Sequence, residues 1–244
     1  MKAWVLGIGW VSAAGIGRGR RGDRFAMAAG ELPELSRRDI FTEPYPRFGR
    51  LDDFSRLGLA GIALALNDAG LDRWEQKRNI GIFAGTTRGC LETDRAYYDT
   101  VIPDGGALAS PNLFAYTLSN TFLGEAAIRF GLAGSNLVLN DSDPAAFSAL
   151  RLALESLAWG EAPLMLAGIC DLPPAAGAAG ASGRPPGAVF LVLSRERSAS
   201  VPPLAEIALD AAGAVSVDAA GVADWPGLVQ ACLQPEEEIG RDCP

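Results

Sequence analysis

Two residues with usable chemistry stand side by side in Leu139–Leu150, LNDSDPAAFSAL, between an apolar run and a helical pattern. Ser142 carries a hydroxyl that can attack a carbonyl, and Asp143 a carboxylate. A polar turn from a buried strand into a helix is a common seat for a nucleophile. A serine nucleophile needs a base to take its proton. The chain has no histidine, and its only lysines are Lys2 and Lys77. Asp143 has a simpler reading. It directly precedes Pro144, and Asp followed by Pro is a strong helix start: the carboxylate accepts first-turn amides while proline presets φ. The helix dipole favours a negative charge there. Asp143 is therefore expected to cap a helix beginning near Ala145.

Other motifs carry less. Gly7–Ser12, GIGWVS, lacks the third glycine of a dinucleotide fingerprint and reads as a tight turn. The acidic pairs Asp52/Asp53 and Asp141/Asp143 are close in sequence only. Cys90, Cys170, Cys232 and Cys243 form no CxxC pair, so reduced thiols are expected rather than a disulfide framework or zinc site. No metal and no cofactor is expected.

The composition narrows the class. The 244 residues are 49% hydrophobic, enough for a sizeable core, with net charge −8. That charge disfavours a nucleic-acid surface, which needs a basic stripe. The apolar run Ala3–Ile16 after Lys2 is too short to span a membrane. The expectation is a cytoplasmic protein with no membrane span.

The elements that must position Ser142 and Asp143 follow from periodicity and punctuation. Strands are predicted at Ala3–Gly9, Asn79–Ala84, Ser135–Asn140, Pro163–Ile169, Ala188–Ser194 and Leu204–Asp210. A buried helix should run from Asp52/Asp53 to about Ala69, with Gly58 and Gly61 admitting a close neighbour and Gly70 ending it. Further helices are predicted at Leu91–Val101, Ser119–Phe130, Ala145–Trp159 and Asp224–Leu233. Arg18–Arg50 reads as irregular, and Pro111–Tyr116 as a loop rich in large apolar residues. The Pro/Gly/Ala stretch 172–187 should be mobile or extended, and the tail from Pro235 frayed. Strands alternating with helices predict an α/β protein with a mainly parallel sheet and helices on both faces.

The segments AWVLGIGWVSAAGIG, FSRLGLAGIALALNDAGL, IGIFAGTTRGCLETD, FGLAGSNLVLNDSDPAAFSALRLALESLAWGEAPLMLAGICD and GAVFLVLSRE follow the order and spacing of β-ketoacyl-[acyl-carrier-protein] synthases. The chain resembles the N-terminal half of that family's thiolase-like fold from residue 3 to about 210, so residues 1–244 are expected to form a single domain. The resemblance puts Asp143 at the position of the family's nucleophilic cysteine, with Ser142 adjacent. It implies that Tyr97, Leu113, Phe114 and Tyr116 lie near an acyl-tunnel end. It also implies that Ser135–Asn140, with Leu137 and Leu139, is a dimer-interface strand. A carboxylate at position 143 cannot form the acyl thioester. The family's histidines belong to a second half that this chain is expected almost entirely to lack.

The function so implied is a catalytically inactive synthase-like subunit, comparable to a chain length factor. It would support an active ketosynthase in fatty acid or polyketide (possibly aryl polyene) biosynthesis. The implied partners are that ketosynthase and an acyl carrier protein, in a homo- or heterodimer. Two alternatives stand beside it: a module binding acyl chains or acyl carrier protein alone, and an acyltransferase using Ser142.

Overall fold

The computed structural model describes residues 1–103, 105–174 and 184–234. The chain opens with a long strand β1 (Lys2–Ser12) that turns back as β2 (Gly15–Arg18). After two 3-10 turns and a short helix α1 (Arg37–Ile40), the main helix α2 (Asp53–Asp68) begins. Then come β3 (Ile80–Thr86), α3 (Leu91–Val101), α4 (Pro111–Phe114), α5 (Thr121–Phe130) and β4 (Asn136–Asn140). Helix α6 (Ser148–Trp159), β5 (Leu164–Asp171), β6 (Gly187–Ser194), β7 (Ala205–Leu209), β8 (Val215–Val217), β9 (Ala220–Val222) and α7 (Trp225–Leu233) complete the described chain.

Eight strands lie side by side in the order β4-β3-β5-β6-β1-β7-β8-β9, and β2 also pairs with β1. The 11 residues of β1 let one edge serve two partners: Lys2–Val5 pair with β7 and Gly9–Ser12 with β2. The sheet is mixed, which corrects the expectation of a mainly parallel one. Only β3–β4 and β3–β5 are parallel neighbours; β6 is antiparallel to both β5 and β1. Parallel neighbours need long crossovers. Helices α3–α5 supply one between β3 and β4, and α6 supplies the next between β4 and β5. From β7 to β9 the chain is a meander.

Helices cover both faces. On one, α2 and α5 bury Leu57, Leu59, Ile62, Leu64 and Phe122. On the other, α6 and α7 bury Leu150, Leu154, Leu157, Trp225, Leu228 and Val229. Asp52 caps α2 as expected, accepting from the Ser55 amide at 3.1 Å. Gly7 and Gly9 lie inside β1, not in a turn, because α2 crosses there. A Cβ on Gly9 would sit 2.2 Å from the Ala65 nitrogen.

Several boundaries depart from expectation. Pro111–Tyr116 contains the one-turn helix α4, capped by Ser110 (Leu113 amide to Ser110 Oγ, 3.3 Å). The Arg18–Arg50 region, largely irregular, nevertheless buries Phe25, Phe41, Tyr45 and Phe48. Strands β2, β8 and β9 carry too few residues to show a period in the sequence. The mobile-or-extended expectation for 172–187 falls mostly on residues 175–183, and the frayed tail on 235–244. Both lie outside the described residues. Among the described residues no helix is long and apolar enough to cross a membrane.

Candidate functional site

Strands β3 and β5 run parallel and end at Thr86 and Asp171, beside the end of β4 at Asn140 and the start of β6 at Gly187. A buried charge cluster fills this end of the sheet. Asp171 Oδ1 accepts from Thr86 Oγ1 (2.9 Å), Thr87 Oγ1 (2.9 Å) and the Thr87 amide (2.8 Å). Its Oδ2 receives Arg184 Nη1 at 3.1 Å. Arg184 Nε donates to the Pro144 carbonyl at 2.8 Å, and Nη2 lies 3.6 Å from Asp141 Oδ2. The side chains of Asp141, Asp171 and Arg184 are at most 4% exposed. Gly85 makes room for this: a Cβ there would sit 2.6 Å from Asp141 Oδ2. The Arg184 guanidinium thus ties the end of β5 to the turn that follows β4, and Asp171 ties in the end of β3. Removing one member would strand the others in a medium that solvates charge poorly.

That turn, residues 141–147, exposes both Ser142 and Asp143. Asp143 does not cap α6. Its Oδ1 accepts from the Ala145 amide at 2.9 Å, and its carbonyl from the Ala146 amide at 3.0 Å. This is a side-chain-closed turn two residues long. Helix α6 begins only at Ser148, behind Phe147, which gives no side-chain cap. The tertiary structure explains the delay. The Pro144 carbonyl is committed to Arg184, the Ala146 carbonyl accepts the Trp225 indole N–H at 3.0 Å, and the Phe147 ring packs on Trp225 at 5.7 Å. Trp225 is held by α7, which Asp224 caps through the Gly227 amide at 2.8 Å.

Cys90, Cys170 and Cys232 are all buried. Burial pushes each thiol pKa up, Cys232 to about 12, so the reactive thiolate is suppressed.

The residues assigned to an acyl-tunnel end form a second region. Tyr97 on α3 and Phe114 on α4 pack at 5.4 Å. Leu113 is half-buried, and Tyr116 packs against the α2-side core. Phe114 stays 61% exposed, and Tyr98, Ile102, Leu108 and Leu118 in the same stretch of chain are exposed as well. Strand β4 is an end strand of the sheet, paired with β3 alone among the described residues. Its Leu137 is exposed and Leu139 half-buried against the α6-side core. The structure therefore joins Tyr97 to Phe114, and keeps Ser142 and Asp143 together on the turn.

Sequence reading passed over Arg184 and its partners. The available signal was a lone charge, Arg184, within a Pro/Gly/Ala run, together with Asp171 closing an apolar strand.

Known proteins resemble this chain in sequence and in fold. The β-ketoacyl synthase N-terminal domain model matches residues 36–184, from before α2 to Arg184. The 3-oxoacyl-[acyl-carrier-protein] synthase 2 of Vibrio cholerae is 29% identical over 120 residues, 49% of this chain and 29% of that enzyme. The enzyme of the same name from Vibrio harveyi is 28% identical over a stretch of the same length. The match thus spans less than a third of the length of these curated relatives. Among solved structures, the ishigamide ketosynthase/chain length factor superposes with a TM-score of 0.67 at 19% identity, covering 84% of this chain and 62% of that one. A ketosynthase in complex with its chain length factor from Xenorhabdus doucetiae gives 0.57 at 18% identity, covering 80% of each chain. The fold is the thiolase-like ketosynthase fold, and the chain belongs to the β-ketoacyl synthase family.

Proposed function

We propose that this chain is a catalytically inactive ketosynthase-like subunit that pairs with an active ketosynthase in fatty acid or polyketide biosynthesis. The observation that carries this reading is the 141–147 turn. It carries Asp143, which the family resemblance puts at the position of the nucleophilic cysteine, on a side-chain-closed turn set back from the start of α6. A thiolate at a helix N-terminus is stabilised by the dipole and free amides; this turn offers neither the thiol nor the helix start. The second support is the edge of β4, paired with β3 alone among the described residues and carrying the exposed Leu137. Such an edge invites pairing with another sheet. Tyr97, Leu113, Phe114 and Tyr116 then stand where the end of an acyl tunnel meets the partner. The structural relatives include ketosynthase–chain length factor pairs and a type II acyl-carrier protein in complex with its ketosynthase. They support the same kinds of partner here.

The acyltransferase alternative needs a base beside Ser142. Lys2 is paired with Glu206 at 2.6 Å, and the buried Asp141 faces Arg184. The lone binding module remains as the second reading, favoured by the exposed ring of Phe114.

The test has two arms. The purified chain, incubated with acyl- and malonyl-acyl carrier protein, should give no ketoacyl product and no covalent acyl adduct. Co-expressed with a ketosynthase of its own gene neighbourhood, it should co-purify as a heterodimer; alone it should form a homodimer. An acyl adduct on Ser142 would overturn the inactive reading. A stable monomer that still binds carrier protein would favour the lone module.

A further inference from the structure

We propose that a cavity at the opposite end of the sheet binds a small amphiphilic anion, an alkyl chain ending in a carboxylate or phosphate. The cavity lies between the β6–β7 connection and the α6–β5 turn, with a volume of about 590 Å³, within the range of small-ligand sites. Leu6, Leu71, Leu164 and Val201 give it an apolar floor. Arg195 and Arg197 stand on its rim, and both are exposed.

The charge at the rim sets the sign of the ligand. Neither arginine forms an ion pair among the described residues. Arg197 is instead held over the Trp4 ring at 5.4 Å. Glu196 is the only lining carboxylate, so the rim keeps a net positive charge on a chain of net charge −8. A second cavity shows the contrast. Glu43, Asp72 and Glu75 there offset Arg73, Arg78 and Arg129, and Trp74 is its only large apolar side chain. It prefers neither sign and offers little surface to an alkyl chain. In the proposed site an alkyl chain gains from the floor, and an anionic head meets guanidinium groups suited to bidentate pairing.

The site is separate from the 141–147 turn. Strand β6 begins beside Asp171 and reaches the cavity at Ser194, roughly 23 Å further along at about 3.3 Å per residue. The proposal thus stands whether or not the chain is a ketosynthase partner.

Calorimetric titration of the full chain with decanoate, decyl phosphate and decanol tests it. The wild type should bind at least one of the two anions at least tenfold more tightly than decanol; which anion binds better identifies the head group. Arg195→Ala/Arg197→Ala changes only exposed side chains, so it should keep the fold. It should weaken the anions at least tenfold and leave decanol unchanged. A photoreactive diazirine decanoate should cross-link within residues 160–164 or 194–201. Equal binding of decanol, an unchanged double variant, or cross-links confined to α3 and α4 would overturn the proposal.

Discussion

The turn at 141–147 and the α3–α4 region are built on opposite principles. Beneath the turn, charge is buried against charge: Arg184 hydrogen-bonds Asp171 and the Pro144 carbonyl and faces Asp141 at 3.6 Å without a hydrogen bond. From the other side Trp225 closes on Ala146 and Phe147. The α3–α4 region does the reverse and leaves Tyr98, Ile102, Leu108, Phe114 and Leu118 exposed to water. The contrast teaches where each kind of energy is used. The strand ends are held by internal hydrogen bonds and ion pairs. The α3–α4 surface leaves its apolar side chains in contact with water.

The largest effect should come from breaking the buried cluster. Asp171→Ala leaves Arg184 without its shortest ion pair and frees the Thr86 and Thr87 donors. It should cost about 3–5 kcal/mol, read as a lower urea midpoint. A loss below about 1 kcal/mol would mean that the cluster does not hold the strand ends. Trp225→Ala comes next, at about 3 kcal/mol from the cavity and the lost indole hydrogen bond. Near-ultraviolet dichroism should also change, because the Phe147 contact disappears with the indole.

On the open side the prediction inverts. Leu137→Glu should change unfolding stability by no more than about 0.5 kcal/mol, as expected for an exposed site. Yet it should weaken self-association or ketosynthase pairing at least tenfold, about 1.4 kcal/mol, measured by sedimentation equilibrium. Unaltered assembly would remove β4 from the interface. Asp143→Ala should have the smallest effect, about 0.5–1 kcal/mol for one exposed side-chain hydrogen bond. Asp143→Asn should be near neutral, since asparagine closes the same turn. A loss near 2 kcal/mol by thermal melting would restore the helix-cap reading.

Helix α2 was legible because everything that defines it is local. Asp52 supplies the cap, an unbroken apolar run the body, and Gly70 the left-handed stop at φ +69°. Helix α3 appears at its expected residues, Leu91–Val101. The end of α6 at Gly160 is equally local. Its beginning was misread because the Asp143–Pro144 signal is real but satisfied another way: the carbonyls of Pro144 and Ala146 were claimed by residues distant in sequence. The family resemblance also came from the sequence. The 141–147 turn stands out in it because no histidine or cysteine accompanies Ser142 and Asp143.

The sequence alone determined the locally coded helices, the apolar strands and the identity of the residue at position 143. Each depends on neighbours within a few positions or on residue type itself. Only the tertiary structure decided the direction of β6, the open edge of β4, and the meeting of Arg184 with Asp141 and Asp171. Those outcomes depend on which strands become neighbours, and a guanidinium is tolerated in the interior only once carboxylates from the end of β5 and from the turn after β4 converge on it.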